Sequence, residues 1–314
     1  MNYSPKVTVI LPNFNHSQFL EQRLETIFNQ TFQDFEVILL DDASSDNSLS
    51  ILEKYKENSK VSHFVINERN LGSPFKQWQK GISLAKGEYI WIAESDDYCE
   101  LEFLEKIFQL KSSSRKDLGL IYCQSVDVDE NGNSIKSRIN YTSNFVLNIW
   151  KNDFSLYGRK FIETYLKTKN VIPNASAVVF KKSLVKDSFF SIRMLNMKMC
   201  GDWLFWCQIL PNTNVGFLAQ NLNYFRNHTT VTRNHKTRDL KKRRLIEESY
   251  IRKKLCKKAI LQSQEKNKLY QSWFQLHSFS EIFFFGFYKV VIEKSDYISF
   301  LTSFVKFKLN NYRN

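Results

Sequence analysis

Over the first hundred residues, short runs of uninterrupted apolar positions alternate with longer stretches whose apolar positions recur every three or four residues. Val7-Thr-Val-Ile-Leu11, Phe35-Glu-Val-Ile-Leu-Leu40, His63-Phe-Val-Ile66 and Glu88-Tyr-Ile-Trp-Ile-Ala93 read as strands. Between them Ser17 opens a helix to about Asn29, with Phe19, Leu20, Leu24, Ile27 and Phe28 on one face, and further helices are predicted over 48–55, 74–85 and 101–110. Strands that are apolar on both faces need cover on both. The β-α-β-α-β-α-β order therefore predicts a parallel sheet between helical layers. Right-handed crossovers then bring the four strand ends to one edge, where ligands bind in such sheets.

Past residue 112 the pattern loosens. Residues 118–122 read as a strand, Asp129-Glu-Asn-Gly132-Asn as a hairpin turn, 138–160 as loop with some helix, 161–166 as a short helix and 175–180 as a strand. Met199 to Leu210 reads as a helix with an acidic entrance, and Val215–Leu218 with Leu222–Arg226 as a pair of strands. From about Thr237 the chain becomes helical and basic. The net charge of +13 is concentrated there: from Arg233 onward 19 Lys and Arg face 7 Asp and Glu, whereas the first 232 residues carry 26 against 25. Charge alone thus divides the chain into an α/β unit, 1–235, and a helical basic region, 236–314.

A 314-residue chain with 43% hydrophobic residues can bury a full core. The N-terminal segment lacks a secretory pattern, and no apolar run is long enough to span a bilayer. Cys99, Cys123, Cys200, Cys207 and Cys256 are scattered, without metal-site spacing, and fit reduced thiols in a cytoplasmic protein. The clusters Lys241–Arg244, Arg252–Lys254 and Lys257-Lys258, followed by the apolar run from Ile282 to Ile292, suit a helix lying on the anionic inner face of a membrane. A solvated helix face over a small core reads equally well. Nucleic acid is not expected, since no recognised binding module accompanies the charge.

The candidate chemistry lies at the four strand ends: Pro12, Asn13 and Asn15; Asp41 and Asp42; Asn70 and Gly72; and Glu94-Ser95-Asp96-Asp97. Taken singly, each is ordinary turn chemistry, and Asp97 alone would be a helix N-cap. Three carboxylates on one turn repel one another unless a cation is present, and hard oxygen ligands suit Mg²⁺ or Mn²⁺ shared with phosphates. Carboxylates and amides at the first two ends can hydrogen-bond a base and ribose. Neither G-x-G-x-x-G nor G-x-x-x-x-G-K-[ST] occurs, which argues against dinucleotide and P-loop proteins.

The set Pro12-Asn-Phe-Asn15, Asp41-Asp42-Ala-Ser-Ser-Asp46, Asn70-Leu-Gly72, Ala85-Lys-Gly-Glu-Tyr-Ile90, Glu94-Ser-Asp-Asp97 and Gly201-Asp202-Trp203 resembles family 2 inverting glycosyltransferases of the GT-A fold, over roughly residues 5 to 230. The resemblance implies a Rossmann-like mixed sheet flanked by helices, a nucleotide-diphosphate sugar donor, and a glycan or polyprenyl-linked acceptor in surface-polysaccharide synthesis. It also implies Asp41 and Asp42 at the base and ribose, Ser95 and Asp96 at the donor, and Asp96 as metal ligand supported by Glu94 and Asp97. Asp202 would be the general base, with His228 closing over the metal and Arg226 near the diphosphate. Two positions depart from the family: Glu94 stands where Asp is commoner, and Lys76-Gln-Trp78-Gln-Lys80 replaces the usual Ala-Arg-Asn, leaving Lys80 as the phosphate candidate. Two alternatives stay open: a sugar-1-phosphate nucleotidylyltransferase, which would want a Gly-rich basic loop after the first strand, and a non-catalytic sugar-nucleotide or membrane-binding module.

Overall fold

The computed structural model describes residues 4–228, 237–256 and 263–311. The boundary drawn at 235, and the positions of Lys257, Lys258 and Ile260, lie outside the described residues.

The alternating pattern becomes β1 (Val7–Asn13), α1 (Ser17–Phe28), β2 (Phe35–Asp41), α2 (Ser48–Glu53), β3 (Val61–Ile66), α3 (Pro74–Leu84) and β4 (Tyr89–Ile92). Next come β5 (Tyr98–Cys99), α4 (Phe103–Ser113), β6 (Leu118–Val128), β7 (Ser134–Ser137), β8 (Phe154–Tyr157), α5 (Gly158–Phe161), β9 (Val178–Lys181), α6 (Ile192–Leu195), α7 (Gly201–Ile209) and β10 (Asn214–Arg226). The basic region forms α8 (Arg238–Cys256), α9 (Ser263–Gln275) and α10 (Tyr297–Asn311).

One sheet runs β3-β2-β1-β4-β9-β6-β10-β5, with β7 on β6 and β8 on β10. β1 pairs in parallel with β2 and β4, β2 with β3, and β6 with β10; β9 lies antiparallel between β4 and β6. The mixed α/β sheet expected from the resemblance is therefore present.

Successive residues of a strand point to opposite faces. Val7, Val9 and Leu11 accordingly join Val37, Leu39 and Trp91 under α1, α2 and α4, while Ile10 joins Ile38, Ile90 and Ile92 under α3 and α7. Cys99, Cys123, Cys200 and Cys207 are free and buried within these layers.

Three expectations need correction. Residues 215–226 are not two strands but the single β10. Its register against β6 shifts between Leu218 and Asn223, so exposed Gln220 and Asn221 form a bulge within one strand. The strand expected at 175 begins at Val178, because the Asn174 side chain accepts from Ser176 N and closes a 3₁₀ turn over 175–177. Asp97 does not cap α4, whose N-cap is Glu102.

The C-terminal apolar run divides. Phe287, Val290, Val291 and Ile292 are buried in a separate core with Leu269, Trp273, Phe300 and Phe304, whereas Phe283, Phe284 and Phe285 stand exposed. Helix α8 also reaches the main core through Ile251 and Leu255. No helix among the described residues is long and apolar enough to cross a membrane.

Candidate active site

The ends of β1 and β2 are tied to each other. Asn13, at the last β1–β2 register pair, donates from Nδ2 to Asp41 Oδ2 (2.9 Å), and Asp41 Oδ1 accepts from Ser44 N (2.8 Å). Asp42 accepts from Asn67 Nδ2 (2.6 Å) and from Leu71 N (3.0 Å), which joins the second strand end to the third. Asn15 Oδ1 accepts from Ser45 N (2.7 Å). Each of the two turns, after β1 and after β2, holds a non-glycine residue in the left-handed region: Asn15 at φ 55° and Ala43 at φ 60°. Gly72, at φ 66°, fills the corresponding left-handed position by the Asn70 side chain, whose Oδ1 accepts from Gly72 N. Pro12 lies in β1 beyond its last pair with β4, opposite Leu40. Lys80 Nζ donates to Asn67 Oδ1 (2.7 Å), so it supports the Asp42 contact.

The acidic turn after β4 sorts into three environments. Glu94 accepts from Trp78 Nε1 (2.8 Å); burial and the charges of Asp96 and Asp97 push its carboxyl up to about 8. Asp97, 1% exposed, accepts from Arg226 N (3.0 Å) and Asn174 Nδ2 (3.1 Å), and burial together with Asp96 raises it to about 6. Buried Arg23, stacked 4.9 Å from the Trp91 ring, supplies a countercharge to both. Asp96 goes the other way: burial works to raise it, but the hydrogen bond from His228 and the positive potential of His16 and His228 hold it below the usual carboxylate range.

Asp96 thus joins His16 and His228, not its acidic neighbours. Ligand atoms of His16, Asp96 and His228 lie within 4.8 Å of one another, and His228 Nε2 is 3.0 Å from Asp96 Oδ2. Ser95 Oγ, 2.8 Å from His16 Nδ1, fixes that ring, and burial lowers the His16 pKa, favouring the neutral form that a metal requires. Two imidazoles and a carboxylate fit a divalent ion, and the nitrogen donors favour Mn²⁺ over Mg²⁺.

Arg226, 2% exposed, lies between Phe19 and Tyr98 and donates to Asp96 O (2.9 Å), Glu130 O (2.8 Å) and Gln22 Oε1 (2.5 Å). It braces the backbone of the acidic turn.

Asp202 occupies the first turn of α7. Its Oδ1 accepts from Trp203 N (2.7 Å) and its Oδ2 from Asn170 Nδ2 (2.8 Å). Burial pushes its carboxyl up to about 7, with the Glu247 charge adding to the rise and the two hydrogen bonds opposing it. A carboxylate tuned near neutrality is suited to accept a proton.

Sequence reasoning missed His16; the available signal was its place on the same strand-end loop as Asn13 and Asn15. It also missed Asn67, Asn170, Asn174 and Glu247, whose roles depend on partners between 25 and 77 residues away.

The chain matches the family model described as Glycosyl transferase family 2 over residues 8–189. It is 28% identical over 210 residues to an uncharacterized glycosyltransferase of Methanocaldococcus jannaschii, covering 66% of each chain. To the poly(ribitol-phosphate) beta-glucosyltransferase of Bacillus spizizenii it is 35% identical over 119 residues, which is 37% of this chain and 18% of that protein. The chain therefore spans no more than about two thirds of the length of these curated relatives. Among solved structures, Staphylococcus aureus TarS in complex with UDP-GlcNAc superposes with a TM-score of 0.59 at 20% identity, over 96% of this chain and 81% of that one. A Pyrobaculum calidifontis mannosyltransferase in complex with GDP-Man and Mn²⁺ gives 0.53 at 14% identity, over 92% and 74%. These structural likenesses show a shared fold. With the family match covering more than half its length, the chain belongs to glycosyl transferase family 2.

Proposed function

We propose that this glycosyltransferase is inverting, takes a nucleotide-diphosphate sugar as donor, and transfers the sugar to a hydroxyl of a glycan or polyprenyl-linked acceptor in surface-polysaccharide synthesis. One observation carries the reading: the Asn13–Asp41–Asp42 network and the His16–Asp96–His228 set both sit at the strand ends expected to bind the donor. Asp41 and Asp42, with Asn13, Asn15, Asn70 and Gly72, take the base and ribose. Asp96, His16 and His228 hold the divalent ion, Mn²⁺ or Mg²⁺. Glu94 and Asp97 shape the turn electrostatically, and Arg226 and Lys80 position the groups they touch.

When bound, the ion neutralises charge developing on the leaving diphosphate. Asp202 withdraws the proton from the acceptor hydroxyl as its oxygen bonds the anomeric carbon and the bond to the diphosphate breaks on the opposite face. A UDP-sugar complex of TarS, a GDP-mannose and Mn²⁺ complex of the mannosyltransferase, and relatives named for poly(ribitol-phosphate) glycosylation support the donor, ion and acceptor classes. Family membership sets aside the nucleotidylyltransferase alternative.

The test is hydrolysis of a panel of UDP- and GDP-sugars, with water in place of the acceptor. At least one donor is expected to be cleaved with Mn²⁺, and Asp96→Ala to abolish cleavage. An Asp96→Ala protein that binds Mn²⁺ and donor like the wild type would overturn the metal assignment.

A further inference from the structure

Helix α8 reaches both loops that meet at Asp202. Glu247, 8% exposed, accepts from three consecutive backbone N–H groups: Lys198 (2.9 Å), Met199 (2.9 Å) and Cys200 (3.0 Å). These residues lead directly into Gly201 and Asp202. Arg252, 3% exposed, donates to Lys167 O (3.0 Å) and Thr168 O (3.1 Å), on the approach to Asn170, whose side chain holds Asp202. Its guanidinium also pairs with Glu248 (2.7 Å) and lies 5.7 Å from the Trp203 ring. The helix also docks on the main core through Ile251 and Leu255. Burying a carboxylate and a guanidinium as well carries a desolvation cost that only well-formed hydrogen bonds offset. Both groups spend those bonds on the two loops at the base.

We propose that Glu247 and Arg252 are positioning residues for the transfer reaction, fixing the loop that leads into α7 and Asp202 and the loop that carries Asn170 from one helix of the basic region. This rests on Asp202 being the general base. Misplacing a reacting group by about 1 Å costs on the order of a hundredfold in rate. Glu247→Gln is therefore expected to lower kcat for Mn²⁺-dependent donor hydrolysis at least tenfold, while donor KM and Mn²⁺ affinity stay within twofold. Glu247 is the α8 charge that acts on Asp202, and Asp202 in turn acts on Tyr141 and Cys200, which also feel Glu248 and Arg244 of α8. Removing the Glu247 charge relieves its repulsion of Asp202, so the acid limb of the kcat profile moves to lower pH. Arg252→Lys, which loses the forked contact, is expected to lower kcat with donor KM likewise unchanged, and exposed Arg243→Ala to match the wild type.

Wild-type kcat in both variants, or parallel loss of kcat and donor affinity, would overturn the proposal. Donor-induced thermal shifts separate lost folding from lost rate, and Arg252→Lys decides the matter should Glu247→Gln not fold. If Asp202→Asn retains kcat, the base assignment itself has failed; if Asp202→Asn is inactive while both α8 variants are normal, only the positioning role falls.

Discussion

At the scale of single residues, Asp202 joins two opposed requirements. Its folded-state pKa of about 7 lies above that of an unfolded aspartate, so the native protein binds the extra proton more readily. The resulting stabilisation is fully present below pH ~4 and is lost as pH rises through about 7. The role proposed for it needs the other form, because a base must be unprotonated. Asp202→Asn removes the charge that burial disfavours and can keep an acceptor toward Trp203 N. It is expected to melt at a higher temperature than the wild type at pH 8 while kcat falls by roughly 10²–10⁴-fold. Wild-type kcat for donor hydrolysis should itself rise through pH about 7. Calorimetry and a pH–rate profile check both outcomes. The proposed metal set gives a second residue-level test. His16→Ala removes a nitrogen donor from the cluster and is expected to weaken Mn²⁺ binding at least tenfold by isothermal titration, with little change in melting temperature without metal.

At the scale of elements, the strand ends do the arranging. β10 ends in Arg226, which braces Asp96 O and Glu130 O and brings His228 against Asp96. Arg226→Met keeps much of the aliphatic packing against Phe19 and Tyr98 but loses the forked donors. Mn²⁺ affinity is expected to fall by about 10–100-fold, as when supporting contacts of metal ligands are cut. Titration of the folded variant tests this. Such dependence explains what the sequence could and could not reveal. β1 to β4 and the helices between them were legible because each strand is apolar on both faces and each helix has one apolar stripe. Their order alone brought Asp41, Asp42 and Asp96 to one edge. The division of labour within Glu94–Asp97 was not legible, since it depends on Trp78, Asn174, Arg226 and His228, the last three brought in from distant segments. β5 escaped notice because two residues carry no periodicity, and β8 because Phe154-Ser-Leu-Tyr157 is only half-buried and lacks the continuous apolar run of β4. β10 read as two strands because exposed Gln220 and Asn221 interrupt its apolar run at the bulge.

At the scale of the whole molecule, the charge asymmetry and the Phe283–Phe285 run make one prediction together. The aromatic trio is 84%, 65% and 85% exposed on a segment anchored by the C-terminal core, in the region that carries nearly all of the net positive charge. Proposed as a peripheral membrane contact, this arrangement combines two forces. Insertion of apolar rings yields about 25 cal/mol per Å² removed from water, and each basic residue near an anionic leaflet adds about 1 kcal/mol, screened within a Debye length. The two terms respond differently to salt, which makes the reading testable. The protein is expected to co-sediment with vesicles containing phosphatidylglycerol and much less with phosphatidylcholine alone. Raising salt to 1 M should weaken binding without abolishing it, because the aromatic term persists. Replacing Phe283, Phe284 and Phe285 with serine should remove that salt-resistant fraction while leaving donor hydrolysis intact, since none of the three touches the candidate active site. Equal binding to neutral and anionic vesicles, or a serine variant that binds like the wild type in high salt, would assign the aromatic run to something other than a lipid surface.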